Sequence, residues 1–590
     1  MILTQPKTTT NGLVKIITAA SVGTLIEWYD FYIFGSLATI ISSQFFPKEN
    51  AAASFLATLA TFAAGLVVRP FGALFFGRLG DMIGRKYTFM VTLLLMGGST
   101  FAIGLVPTYD TIGFLAPVIV LVLRLLQGLA IGGEFGGAIT FVAEHAPVRE
   151  RGFWTGLLQT TPIIGYILSL GVILGAKNSM QAADWEDWGW RIPFLVSAFM
   201  VGVSVYIRKN MAESPLFAQA KREGKTSANP LKESFGKKAN LKVVLLALFG
   251  VTIGTAAQSW GGTFYCQNFL TQTMFVDYDQ ANTVIMMAMI LALPSCVFFG
   301  WLSDRIGRKP LIITGLLLAI FCFRPIFEQL YQTVNLRHKV EDVTKNTVAT
   351  QQESVPTTNT DLWLTTTTTH FYIDGTSYRE VKKEAIRAGK LIKSEVIKTI
   401  QINDRDKWTL VLLIWLTVVI VYVSYGPLAA FLVELFPLKI RYTSLSLPLH
   451  VGYGIFGGMS LVIASYLTSK AQAAHTADYY LAGLTYPIIL MSVSLIIALL
   501  YLNNTWAEQP AVTRPSKNKQ LARKLFGIVG ILLGLAAAWF GVVDLGLPKI
   551  MSGKQDDLIF GIIVMGIITP VATIGLFLFG KYALQGEYDN

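Results

Sequence analysis

Fourteen apolar runs of membrane-spanning length constrain this 590-residue chain more than any other feature. They lie near 13–41, 53–76, 87–106, 113–143, 153–176, 192–207, 241–265, 282–302, 310–329, 408–436, 442–467, 482–503, 525–545 and 558–580. A bilayer core needs about 20 apolar residues in helical form. Lipid offers the backbone no hydrogen bonds, so long runs without strand alternation predict helices rather than a barrel. Only 14% of the residues are charged, about half the share a soluble surface carries. That excludes a soluble multidomain enzyme, a disordered chain and a fibrous repeat. Cys266, Cys296 and Cys322 sit in apolar stretches with neither disulfide nor metal spacing. The polar start leads into an apolar run with no small-residue cleavage site, so no signal peptide is expected.

The net charge of +12 is explained by placement. With the N-terminus inside, 27 Lys and Arg fall on the inner segments, nine of them in the connection 208–242, against six on the short outer connections. This asymmetry predicts both termini in the cytoplasm and an affinity for anionic lipid, not a nucleic-acid surface.

An internal repeat sets the architecture. Gly77-x3-Asp81-x2-Gly84-Arg85-Lys86 closes the second run, and Gly300-x3-Asp304-Arg305-x-Gly307-Arg308-Lys309 closes the eighth, 223 residues later. Glu144-x2-Pro147-x3-Arg151 returns as Glu434-x2-Pro437-x3-Arg441 after 290 residues, so the second half holds about 67 extra residues. Glycines at 77 and 84 permit close helix approach and a tight turn. Asp81 can bond the neighbouring helix terminus and nearby guanidinium groups. Two six-helix halves in parallel, joined by a basic linker, resemble a major facilitator transporter.

Further stretches resemble one branch of that superfamily, the bacterial metabolite:proton symporters. They are Glu27-Trp-Tyr-Asp30-Phe31, Arg69-Pro-Phe-Gly72, Arg124-x2-Gln127-Gly128-x3-Gly132-Gly133-Glu134, Trp188-Gly-Trp190-Arg191-Ile-Pro193-Phe194, Glu213-Ser214-Pro215, and Glu434-Leu-Phe436-Pro437 through Arg441-Tyr-Thr443. The resemblance covers about 1–330 and 408–505. It implies a bacterial inner-membrane protein and no enzyme. Such a protein would take up a small organic acid or zwitterionic osmolyte by alternating access, with the proton as coupling ion and no other cofactor. A gradient-independent facilitator, or a membrane sensor using the insertion, are the alternatives. Drug antiporters carry Gly-Pro pairs in helix five that Gly156–Gly165 lacks, which favours uptake.

The expected organisation is an N-terminal bundle over 1–207, a basic cytoplasmic linker over 208–241, and a C-terminal bundle over 242–329 and 408–505. A periplasmic insertion occupies 330–407, and two extra transmembrane helices occupy 506–590. The fold class is all-α and polytopic, with a small extramembrane α+β insertion.

Ionisable residues inside spans are functional candidates, because burying them costs several kcal/mol unless they are paired or hydrated. Asp30 reads as a proton carrier or the partner of a substrate cation, or else as one end of a fixed ion pair with Arg69 or Arg124. Glu27 lies one turn away on the same face, and Tyr29 between them is a cavity candidate. Arg124, with Gln127 one turn on, suits a bidentate grip on a carboxylate or a salt bridge. Glu134 reads equally as a site residue or as a gate, and Arg69 as an inner gate or brace. The gating set also takes Gly77, Asp81, Gly84, Arg85, Glu144, Arg151, Gly300, Asp304, Arg305, Gly307, Arg308, Glu434 and Arg441. Gly128, Gly132 and Gly136 give the small-x3-small spacing of close helix packing. His450 is the one histidine clearly within a span. No nucleotide loop, metal spacing or nucleophile triad is present.

In the insertion, Leu362-Trp-Leu-Thr and His370-Phe-Tyr-Ile read as strands with a turn at Asp374-Gly375. Val381, Ala385, Ile392 and Val396 recur at helical spacing, which predicts a helix from Tyr378 onward. In the tail, Gly527, Gly530, Gly534 and Gly541 form a small-residue face suited to packing on the core or on a second protomer.

Overall fold

Among the described residues, the apolar runs close into helices in both halves. A computed structural model describes residues 10–46, 58, 61–62, 64–209, 213–354, 361–387, 390–502, 517–551, 565–566 and 569–585. The first half comprises α1 (Thr10–Ser36), α2 (Arg69–Met82), α3 (Arg85–Leu105), α4 (Leu115–His145), α5 (Arg151–Leu158, continued by Thr161–Asn178) and α6 (Ile192–Lys209). The second comprises α7 (Lys238–Thr273), α8 (Tyr278–Ile306), α9 (Arg308–Val334), α10 (Asp404–Leu435), α11 (Leu438–Ala473) and α12 (Tyr479–Tyr501). Two helices follow, α13 (Lys517–Trp539) and α14 (Thr569–Leu584). Ten helices among the described residues are long and apolar enough to cross a membrane. α1 is also 27 residues long, but carries Lys15, Glu27 and Asp30. Parts of the expected runs 53–76 and 558–580 lie outside the described residues.

The expected linker boundary at 208 needs correction. α6 continues to Lys209, and Arg208 is 1% exposed inside the first half. A run of 16 apolar residues is too short to span, so the helix recruits its basic flank.

Small residues set the helix contacts. A side chain at Gly128 would meet the Gly65 carbonyl, one at Gly132 the Arg69 carbonyl, and one at Gly136 the Ser446 hydroxyl. The stripe therefore seats α4 against α2 and brings its C-terminal part to α11. Both motif turns pass through positive φ, +133° at Gly84 and +98° at Gly307. Side chains avoid that region, so the motif requires glycine there. In the second half, α7 contains three π-turns (Leu248–Thr252, Trp260–Phe264, Phe269–Thr273) and α11 one (Val451–Gly457). Such turns re-aim side chains within a helix and collect at functional sites.

The segment between α9 and α10 is a four-stranded antiparallel meander: β1 (Thr347–Ser354), β2 (Asp361–Phe371), β3 (Ser377–Arg387) and β4 (Lys390–Gln401), in that order. The turn at Asp374-Gly375 is present, with Gly375 at φ +87°. The helix expected from Tyr378 onward is not. Val381 sits in register between Thr367 and Ile397. A spacing of four places residues on one face of a strand as well as of a helix, and the cross-strand partners decide for the strand.

The sheet is fastened to the second half alone, among the described contacts. Ile400 donates its N–H to the Phe275 carbonyl (2.7 Å), Asp277 donates to Ile400 (2.8 Å), and Ile402 donates to the Gln280 side chain (2.8 Å). Lys339 donates to the carboxylates of Asp374 and Asp406 and to the Thr376 hydroxyl. Although burial opposes its charge, the two carboxylates hold the Lys339 ammonium above its ordinary value.

The glycines of α13 do not face the core. A side chain at Gly527 would meet Gly580 and Ala583, and one at Gly534 would meet Thr573 and Leu576. The small residues are used between α13 and α14. The hairpin reaches the second half through Phe579, packed on Phe249 (6.2 Å between centroids) and Tyr501 (5.4 Å). This corrects the expectation of glycine packing on the core or a second protomer.

Candidate functional site

Among the described residues and away from the motif turns, six Asp, Glu and Arg side chains are buried within the spans of the first half: Glu27, Asp30, Arg69, Arg124, Glu134 and Arg208. One pair is joined. Arg208 Nη2 lies 2.6 Å from Glu134 Oε1, its Nη1 donates to the Phe89 carbonyl (3.0 Å), and the Thr92 hydroxyl donates to Glu134 (3.2 Å). The guanidinium crosses α1 through a notch at Gly23, where a side chain would fall 1.6 Å from Arg208 Nη2.

The others are not joined. Among the described residues, neither oxygen of Glu27 nor of Asp30 has a hydrogen-bond partner, and Nε and Nη2 of both Arg69 and Arg124 are likewise unmatched. The Asp30 carboxyl faces the hydroxyls of Ser197 and Thr100. Glu27 sits amid Glu134, Arg69 and Arg208. The fixed ion pair of Asp30 with Arg69 or Arg124 is therefore absent in this conformation. Arg124 donates to Gln127 Oε1 (2.7 Å), and Gln127 passes the bond to Thr100 (2.7 Å). The Arg124 guanidinium lies over the rings of Phe34 (4.4 Å) and Phe62 (4.9 Å), and Arg69 over Phe31 (4.6 Å). Aromatic faces offer partial compensation to a buried cation, well short of a carboxylate. Tyr29 is withdrawn from the cluster, its hydroxyl donating to the Pro193 carbonyl (2.9 Å).

Across from the cluster, the second half presents aromatic and neutral groups. Trp260 packs against the first-half cluster that contains Phe31, Leu66 and Ile131 and donates to the Tyr453 carbonyl (3.1 Å). Tyr422 and Tyr425 face Tyr32, and Tyr32 meets Tyr166 at 5.1 Å. His450 is buried facing Arg69. An aromatic wall thus stands opposite paired and unpaired charges.

The motif turns seal the end opposite the sheet. Asp81 accepts from the N–H groups of Tyr442 (3.3 Å) and Thr443 (2.8 Å), in the first turn of the helix that starts at Arg441. Asp304 accepts from Gly152 and Phe153, both at 2.8 Å, in the first turn of α5. Each half thus caps a helix N-terminus of the other, where carboxylates are favoured. Arg85 bridges Asp81 (3.2 Å) and Glu144 (3.3 Å), and Arg441 also reaches Glu144 (3.2 Å). Arg308 bridges Asp304 (2.6 Å) and Glu434 (3.3 Å). Arg151 donates to the Ala143 carbonyl (3.0 Å). Close contact of Gly77 with Thr443, and of Gly300 with Gly152, lets the turns meet the opposite half. Arg305 stands apart, stacked on Trp301 (3.9 Å). Arg69 also lies apart from this network, inside the charged cluster.

Several participants escaped the sequence reading. Arg208 was counted with the linker, and Gly23, Thr92, Thr100 and Ser197 carry no pattern of their own. The linker itself is a clamp: Glu213 accepts from the N–H groups of Arg85 and Lys86 (3.2 Å each), and the Ser214 hydroxyl bonds Glu144. Their signal was the Glu213-Ser214-Pro215 triplet.

Comparison with known proteins agrees with this geometry. The model described as sugar (and other) transporter matches residues 16–243 and 218–350. The chain is 36% identical over 327 residues to the proline/betaine transporter of Escherichia coli (strain K12), covering 53% of this chain and 64% of that protein's length. It is 33% identical to the shikimate transporter of the same strain, covering 55% and 75%. A putative metabolite transport protein of Haemophilus influenzae (strain Rd) is 30% identical over 503 residues, covering 85% and 96%. The proton:xylose symporter XylE has the same fold, with a TM-score of 0.59 at 15% identity over 84% of this chain and 96% of that one. Residues 520–590 match a separate family of unknown function. The chain belongs to the sugar (and other) transporter family of the major facilitator superfamily.

Proposed function

We propose that this chain couples the uptake of a small carboxylate-bearing solute to the entry of a proton, by alternating access between its two six-helix halves. The observation that carries this reading is the unpaired cluster of the first half: among the described residues, the carboxylate oxygens of Asp30 and Glu27, and Nε and Nη2 of Arg69 and Arg124, have no hydrogen-bond partner. Protonating one carboxylate leaves an excess positive charge facing the aromatic wall. That excess attracts a substrate carboxylate, and the arginines offer it bidentate contacts. Proton and anion then cross together with little net charge in the low-dielectric interior. The aromatic wall favours a second form of the same reading, a zwitterion whose quaternary ammonium lies on Trp260 or the tyrosines. Similarity to a proline/betaine transporter and to a shikimate transporter supports both forms. In the proposed orientation both termini and the motif turns are cytoplasmic, and the sheet is outside.

The test is uptake into proteoliposomes, with shikimate, 2-oxoglutarate, proline and glycine betaine as probes. The expected result is accumulation of at least one probe above equilibrium only under an inward proton gradient. Equal uptake with the gradient collapsed would make the chain a facilitator.

A further inference from the structure

A cavity of about 370 Å³ lies between the ends of α7 and α11 on the sheet side. Its walls include Asn268, Gln272, Thr468, Ser469, Gln472 and Tyr479, and no charged side chain lines it. It is distinct from the charged cluster. Asn268 is eight residues beyond Trp260, about 12 Å along the helix, and belongs to the opposite half. Yet Trp260, Phe264, Asn268 and Gln272 follow one another at intervals of four, so one helix face runs from the aromatic wall to this cavity.

Three features mark it as a formed site. Its α7 wall is a π-turn, Phe269–Thr273. Its rim is Phe275, a bulky residue at φ +58° and 37% exposed, in a region such residues avoid unless the surroundings hold them there. The surroundings are the sheet: Ile400 of β4 donates to the Phe275 carbonyl at 2.7 Å. The insertion thus fixes an aromatic ring at the mouth of a cavity of amides and hydroxyls. The volume suits a small molecule. A charged ligand would find no counter-charge here, whereas a solute bearing several hydroxyls would find many donors and acceptors.

The geometry points to this cavity as an outer binding site for an uncharged, polyhydroxylated solute, separate from the site proposed for the transported carboxylate. Neutral amides and hydroxyls bond its hydroxyl groups, and Phe275 covers its apolar face.

The full chain in detergent, carrying Ser469→Cys labelled with a trifluoromethyl probe, is titrated with D-glucose and sorbitol, with D-gluconate as the charged control. A saturable fluorine shift is expected from at least one uncharged probe and none from gluconate. Asn268→Ala and Gln472→Ala should each weaken binding by about tenfold. Asp30→Asn should leave the titration unchanged. No saturable response to either uncharged probe, or equal binding of gluconate, would overturn the proposal. Full affinity in both alanine variants, or loss of binding in Asp30→Asn, would do the same, the latter by placing the probe in the charged cluster.

Discussion

The two halves share a helix plan and a motif but differ in what they bury. Among the described residues and away from the motif turns, the first half buries six Asp, Glu and Arg side chains within its spans, and the second buries none, with His450 its one buried histidine. The cross-brace of the second half is neutral. Gln258 of α7 donates to the carbonyls of Gly315 (3.0 Å) and Ile420 (2.9 Å) and is bonded by the Ser424 hydroxyl. It ties three helices with no group that titrates. The comparison teaches that repeat symmetry governs the turns and the packing, while charge is kept in one bundle. Proton binding is then expected to act on the first half, and the second to supply shape and aromatic contact.

The strongest way to break this comparison is Asp30→Asn. It should abolish gradient-driven accumulation while leaving the protein folded, as judged by its melting midpoint and monodisperse elution. Normal accumulation would move the proton role to Glu27 or Glu134. Next in size, Arg208→Met leaves the Glu134 carboxylate buried and unpaired, a loss of about 3–5 kcal/mol. The double variant Arg208→Met/Glu134→Met should recover most of that stability without recovering transport. Gly23→Leu should resemble Arg208→Met, because it fills the notch the guanidinium crosses.

Gln258→Leu sharpens the other side of the comparison. It strands two carbonyls at a cost of about 1–3 kcal/mol, read as a lower thermal midpoint, with the pH profile of uptake unchanged. Asp81→Asn and Asp304→Asn test the symmetric part. Each should weaken a helix cap by about 0.5–2 kcal/mol and open the motif-bearing face equally, as read from spin-label distances. Markedly unequal openings would show that the two caps are not equivalent.

The smallest effect belongs to the sheet junction. Lys339 pairing raises its proton affinity, so its contribution is present below the unfolded value and is lost as pH rises through the folded one. Asp374 is held below its ordinary value despite partial burial, since Lys339 and Thr376 bond its charged form; its contribution is lost as pH falls. The junction should therefore be firmest between about pH 4 and pH 10. Hydrogen exchange in β4 should rise outside that window, with a change under about 1 kcal/mol because Asp374 is exposed.

How much the sequence disclosed follows from how local each signal is. The helical membrane class and the paired turns were legible, because apolar length and a repeated motif are properties of contiguous residues. The charged candidates were legible as charges in apolar runs. Their partners were not, since Arg208 meets Glu134 across 74 positions and through a gap at Gly23. The insertion was misread because Val381, Ala385, Ile392 and Val396 fit either period, and only pairing with β2 decides. The glycines of α13 announced a close contact, but not that α14 would supply it.

The exchanged caps have a mechanical consequence. Asp81 of one half holds the helix of the other that starts at Arg441, and Asp304 returns the grip on α5. Each grip opposes tilting, and releasing either strands carboxylate and helix terminus together. Partial opening is thus penalised on both sides of the pseudo-twofold axis. The pair works as a toggle with two settled positions, and the chain should pass between them in one stroke rather than by graded travel.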